Sequence, residues 1–305
     1  MKIALVIIFN HRFDKNIEKL KKIYENRFSI IRFLVPFYDG EDDRVIPVCE
    51  SSNCFQGYLM QAYDKLVSLE ADYYCFIGDD LLLHPDINEG TIIKDFELTN
   101  KEVCISEIGM FNNKNVFCWG HAKKSSIPFF NSYVSWKESI CSYENALVKF
   151  KTFFNEEYLQ NYTKDFFGKA PKMSKYIEHQ IQIKKFVLQN GGTLKIPYPL
   201  AYGYSDLLII SRNKLYPIAR ICGIFAAMGL FVEIALPTAI VLTTERNKTS
   251  IINKDIHGYK FKALWNKEEK GEIEKSHNNN LSVLYKNWPQ NCLFIHPIKL
   301  SRWEI

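Results

Sequence analysis

Apolar and polar positions along this chain fall into two rhythms. Residues 2–9 form a β-branched and aliphatic run, and over 14–26 Ile17, Leu20, Ile23 and Tyr24 recur at the spacing of one helix face. Residues 29–37 read as a second strand closed by Tyr38-Asp39-Gly40, and Val45-Ile46-Pro47-Val48-Cys49 as a short third. Leu59, Tyr63, Leu66 and Val67 share a face of a helix over 57–69, which feeds a fourth strand, Asp72-Tyr73-Tyr74-Cys75-Phe76-Ile77. Strands and helices alternating at this spacing predict an α/β fold with a mostly parallel sheet and right-handed crossovers.

The rhythm is looser after residue 88. An aromatic-rich stretch, 101–195, is expected to be a largely helical insertion from 137 to 190, stopped by Gly191-Gly192. Its aromatic stripe fits a core more readily than a sugar platform. Residues 196–213 read as a return to the sheet. Residues 220–243 are the most apolar stretch and approach the length that spans a bilayer, but Glu233 and Pro237 near the middle favour a buried helix. Residues 247–280 are polar, with Lys267-Glu268-Glu269-Lys270 as a solvated face or a mobile lid. Cys292-Leu293-Phe294-Ile295 gives a last strand ending in His296-Pro297. The chain divides into 1–100, 101–195 and 196–305, three stretches of one continuous domain.

At 305 residues, 47% hydrophobic and 24% charged, the chain is globular and can bury a full core. A net charge of +5 without a Lys/Arg stripe interleaved with aromatics suits a small anionic substrate or an acidic membrane surface, and excludes a nucleic-acid track. The eight cysteines show neither Cys-x-x-Cys nor zinc spacing and several lie in apolar runs, so reduced core thiols in a reducing compartment, the cytoplasm, are expected. Asn10-His11-Arg12 follows the first apolar run without a small-residue cleavage site, which makes that run a strand and not a signal segment.

The candidate chemistry sits at strand ends. Adjacent carboxylates at Asp79-Asp80 repel unless a cation or proton lies between them, so a divalent metal is expected there; a solvated strand-to-turn junction is the plain alternative. Asn10 and Asp39 end the first and second strands and would crowd the same sheet edge, where α/β sheets present ligands. Such a crevice can hold a ribose, a base and a metal-bound diphosphate.

Strand, helix, strand ending in Asp39, short strand, helix, and an apolar strand ending in Gly78-Asp79-Asp80 resemble, over the first hundred residues, the nucleotide-sugar half of GT-A glycosyltransferases, whose signature is written Asp-x-Asp. The resemblance implies a GT-A-like, mostly parallel Rossmann-type sheet flanked by helices, with a helical insertion shaping the acceptor side. It implies Mn2+ or Mg2+, a nucleotide-sugar donor and a glycan or glycolipid acceptor. Carried over, Asp80 is a metal ligand and Asp79 a ribose or supporting partner, while Asn10 and Asp39, from their strand-end positions, are expected to line the nucleotide; Gly78 departs from the pattern, leaving two carboxylates. A late histidine ligates the metal in such enzymes, which points to His296, with His84, His257 and His277 as competitors, and Lys299 then faces the diphosphate. Asp206 grips a sugar hydroxyl or caps a turn. Glu233 falls where inverting members carry the base, a role a desolvated carboxylate can fill, although Ile234 follows it where the family has an acidic pair; a core glutamate is the alternative.

Two other readings stay open: a retaining glycosyltransferase on the same scaffold, and a membrane-embedded, non-catalytic glycan-assembly protein anchored by 220–243. A nucleotidyltransferase lacks support, because no Gly-rich basic loop follows the first strand. Richness in Lys, Asn, Ile, Phe and Tyr suggests a microbial chain from an AT-rich genome, hence polysaccharide biosynthesis, in the cytoplasm or peripherally at the inner face of the membrane.

Overall fold

The computed structural model describes residues 1–111, 135–158, 198–252 and 260–305, together with 161–162, 188 and 194–195. Its first half follows the hydrophobic pattern: β1 (Ile3–Ile8), α1 (Lys15–Tyr24), β2 (Ile30–Pro36), β3 (Val45–Val48), α2 (Gln56–Gln61), α3 (Tyr63–Val67), β4 (Tyr73–Gly78), β5 (Leu82–Leu83) and α4 (Ile92–Asp95). The chain continues through β6 (Val103–Met110), α5 (Tyr143–Phe154), β7 (Asn161–Tyr162), β8 (Leu194–Lys195), β9 (Ala201–Ser211), α6 (Arg212–Ala227) and α7 (Val232–Thr243). It closes with β10 (Thr249–Ile251), β11 (Lys260–Ala263), α8 (Lys267–Ser276), α9 (Leu281–Lys286) and β12 (Cys292–His296).

The result is a mixed α/β fold around a seven-stranded sheet of order β10-β6-β9-β4-β1-β2-β3. All its neighbours pair in parallel except β9, which runs antiparallel between β4 and β6. Ala4, Val6, Ile8, Tyr74 and Phe76 face one core, against α2, α3, α6 and α7; Leu5, Ile7, Cys75 and Ile77 face a second, against α1, α9 and β12. Strands buried on both faces read as continuous apolar runs, which is why β1 and β4 stand out in the sequence.

Two expectations change. Val103–Met110 falls within the stretch expected to be largely helical, yet it is a strand of the central sheet; α5 is helical as expected, and most of 159–197 lies outside the described residues. The apolar stretch 220–243 is two helices. Gly229 adopts φ 72°, and Leu230 N–H donates to Phe225 O at 2.9 Å, a left-handed stop that ends α6 and lets the chain turn into α7. Helix α7 is buried from Val232 to Leu242 because β9, α6 and α5 enclose it, so it needs no polar face. Among the described residues no helix is long and apolar enough to cross a membrane. Strand β12, a strand as expected, pairs in parallel with β11 and antiparallel with β5 in a separate three-stranded sheet. Residues 267–272 open α8, whose cap is Asn266 accepting from Glu269 N–H at 2.6 Å, and so form a solvated helix face.

Candidate active site

The carboxylate pair ends β4, whose last residue, Gly78, pairs with Ile8 of β1 on one side. On the other side the antiparallel register runs to Ile77↔Leu207, which sets Asp206 across from Gly78. A Cβ at Gly78 would lie 3.0 Å from Asp80 Oδ1 and 3.7 Å from Asp206 Oδ1. The missing side chain therefore leaves room beside Asp80 and Asp206.

A β-bulge brings Asp206 there. Against β6, the β9 register passes from Ile105↔Leu208 directly to Glu107↔Tyr204, so Ser205, Asp206 and Leu207 oppose the single Ser106. Tyr204 and Leu207, which would face opposite sides of a regular strand, both enter the core beside α1. Asp206 sits at the point where the strand changes phase.

His296, at the end of β12, supplies the third direction. Its Nε2 is 3.2 Å from Asp80 Oδ1 and 3.7 Å from Asp206 Oδ1, and the residue is only 4% exposed. Backbone bonds from Ile298 N–H to Asp80 O (2.7 Å), Leu264 N–H to His296 O (2.6 Å) and His84 N–H to Leu293 O (2.8 Å) fix this strand against the turn after β4. The imidazole is held edge-on by Tyr204 and Trp265, with ring centroids 5.7 and 5.3 Å away.

These acids carry unbalanced charge. Burial, then the neighbouring Asp80, pushes Asp79 up to about 7, against the opposing Asn10 backbone N–H (3.3 Å) and the Asn16 side chain. Burial likewise raises Asp206, with His296 countering and Asp80 adding to the shift. For His296 burial opposes the charged form, but Asp206, Asp80 and Glu233 outweigh it and raise the imidazole.

The other expected residues divide. Glu233 lies in the first turn of α7, 7% exposed, and its charge reaches Tyr204 and His296. Helix α7 is seated on β9 by Ala201 N–H donating to Thr238 Oγ1 at 2.9 Å, and by Pro237, whose Cγ would lie 3.1 Å from a Cβ at Gly203. Asn10 meets Asp79 through its backbone. Lys299 is exposed beyond β12, and its charge reaches Lys270 of α8, which Asp80 also influences. Asp39 is exposed and turned to Arg12, which also pairs with Asp14 at 3.2 Å. Of the competing histidines, His84 stands 3.8 Å from Asp86 and His277 Nδ1 2.9 Å from Ile273 O at the end of α8; His257 lies outside the described residues.

Arg12 and Asn16 were not singled out in the sequence. Asn16 had a signal, a polar residue one position before Ile17 on the buried face of α1, where it is 6% exposed. Arg12 had none, because its partners lie on other elements.

The donor set suits a hard divalent cation. Asp80 Oδ1 is buried with His296 Nε2 3.2 Å away as an ion-pair neighbour, and His296 Nδ1 is buried without a hydrogen-bond partner. Carboxylate oxygens match Mn2+ or Mg2+ chemistry, and an imidazole nitrogen favours manganese of the two. Among the described residues no group of three or more His, Cys, Asp or Glu forms a ready cage, so oxygens of a bound ligand would complete the coordination.

No protein-family model matches the chain, and no curated protein matches it. Among solved structures, the mannosyltransferase Ktr4p from S. cerevisiae is matched at 10% identity over 81% of this chain and 67% of that one, with a TM-score of 0.40. CMP:2-keto-3-deoxy-manno-octonic acid synthetase complexed with CTP is matched at 11% identity over 64% of this chain and 88% of that one, with a TM-score of 0.21. The functional reading therefore rests on the chain's own residues.

Proposed function

We propose that this chain is a divalent-metal-dependent glycosyltransferase that moves a sugar from a nucleoside-diphosphate donor to a hydroxyl of a glycan or glycolipid. The observation that carries this reading is the convergence of Asp80, Asp206 and His296 around the space left by Gly78, at the strand-end edge where α/β sheets hold nucleotides. Partly buried acids crowded at that edge, with the His296 imidazole as their neighbouring base, favour a bound cation.

Asp80 and His296 would hold Mn2+ or Mg2+, which when bound neutralises the diphosphate leaving group. Asp79, steadied by the Asn10 N–H and Asn16, accepts hydrogen bonds from the ribose, and Asp206 accepts from a hydroxyl of the transferred sugar. Lys299 faces the diphosphate as a point charge, and Asp39 with Arg12 borders the nucleotide. Glu233 takes the proton of the acceptor hydroxyl, which makes the reaction an inverting displacement. We place the reaction in the cytoplasm, peripherally at the membrane when the acceptor is a glycolipid, and in polysaccharide assembly.

The test is calorimetry with a panel of nucleotide sugars, with and without Mn2+. Binding that needs the metal, and that falls roughly 100-fold in Asp80→Asn, is the expected result. Metal-independent binding, or unchanged affinity in Asp80→Asn, removes the metal assignment.

A further inference from the structure

Tyr204 is 5% exposed, and its hydroxyl is buried without a hydrogen-bond partner. Its ring cannot swing to find one. It stacks on Phe261 (5.4 Å, 26°) and Phe294 (5.9 Å, 23°) and meets His296 edge-on at 80°. A phenylalanine would fill the same slot and keep every ring contact, so the fold gains nothing from the oxygen; a buried unsatisfied hydroxyl costs stability and asks for a reason.

The surroundings supply the reason. The ring stands edge-on to His296, whose Nε2 lies 3.2 Å from Asp80 Oδ1 and 3.7 Å from Asp206 Oδ1, and a phenol hydroxyl can donate a hydrogen bond. Tyr74 and Tyr285 also have unpartnered hydroxyls, but their ring contacts are with Phe76 and Trp288. An anionic phosphate oxygen is repelled by carboxylates on several sides. A sugar hydroxyl fits both needs at once, accepting from a phenol while donating to a carboxylate.

We propose that the Tyr204 hydroxyl recognises the transferred sugar of the donor, donating a hydrogen bond to a ring hydroxyl whose own proton is accepted by Asp206. This rests on the glycosyltransferase reading and adds a specificity-determining residue to it. Sugars that lack a hydroxyl at the matching ring position would be discriminated against, because the phenol and the carboxylate would both be left unpaired.

The test is Tyr204→Phe, measured by calorimetry with Mn2+ against nucleotide sugars and against the matching nucleoside diphosphates, alongside thermal melts. Nucleotide-sugar affinity should fall roughly tenfold, diphosphate affinity should hold, and Tm should stay level or rise. Unchanged nucleotide-sugar affinity would mean that the hydroxyl contacts water only and would overturn the assignment. An equal loss for both ligands would overturn it as well, by tying the hydroxyl to the metal cluster, and so would a lowered Tm with weakened binding of both, by making it structural. Wild-type protein that binds no nucleotide sugar at all removes the glycosyltransferase reading itself, an outcome distinct from these.

Discussion

Two acidic corners lie at the ends of β2 and β4, the parallel strands on either side of β1, and they are built on opposite terms. Beyond β2, Asp39 is exposed and paired with Arg12, whose guanidinium holds its carboxyl below the usual range. Asp42, a few residues on, is held down in the same way by Arg44. Beyond β4, Asp79 and Asp206 are pushed upward by burial and by Asp80, with a titratable imidazole as the neighbouring base. Counting acids would rank the two corners alike. Their charge environment separates them: the acids of the first pair with permanent cations, whereas those of the second have only a titratable imidazole beside them.

The sharpest way to break this contrast is Glu233→Gln. If the uncompensated corner is the reacting one, turnover should fall by about two to four orders of magnitude while donor affinity holds, a split that steady-state kinetics resolves. Retained turnover would leave Glu233 as a core residue.

Asp79→Asn tests the imbalance without any substrate. An acid whose folded pKa stands near 7, above its unfolded value, lowers stability as pH rises from about 4 to 7, because the unfolded chain gives up the proton first. The metal-free wild type should therefore lose stability across that window, by roughly 4 kcal/mol at most from this group. The amide variant should match it near pH 4 and exceed it at neutral pH in denaturant titrations. Equal slopes for the two proteins would show that Asp79 is not strained.

Gly78→Ala places a methyl against Asp80 Oδ1 and should cost about 10- to 100-fold in metal affinity with the fold intact. Asp39→Asn should be the mildest change, with no measurable shift in Tm, because an exposed ion pair contributes little. A large loss of stability there would erase the distinction between the corners.

What could be read from the sequence follows the range of the interactions. Strands β1 to β4 announce themselves because both faces are buried, and Asp79, Asp80 and His296 are visible as polar ends of apolar runs. Strand β6 is not: Ser106, Glu107 and Gly109 interrupt its pattern where the bulged partner passes. The break between α6 and α7 hides in an unbroken apolar stretch, since a single left-handed glycine leaves no trace in hydropathy. Asp206 could be nominated by type alone. Its place opposite Gly78 depends on the register of two strands far apart in the chain, and on a bulge, neither of which local pattern encodes.

That separation couples occupancy to folding. Gly78 and Asp80 come from the early half of the chain, while Asp206 and His296 arrive well over a hundred residues later, so the complete site exists only after β9 has inserted between β4 and β6. An unfolded or half-assembled chain presents only fragments of it and binds weakly. Ligand free energy is then spent almost wholly on the native state, about 2.7 kcal/mol at a hundredfold excess over Kd, and a rise in melting temperature becomes a direct reading of whether the last central strand has found its place.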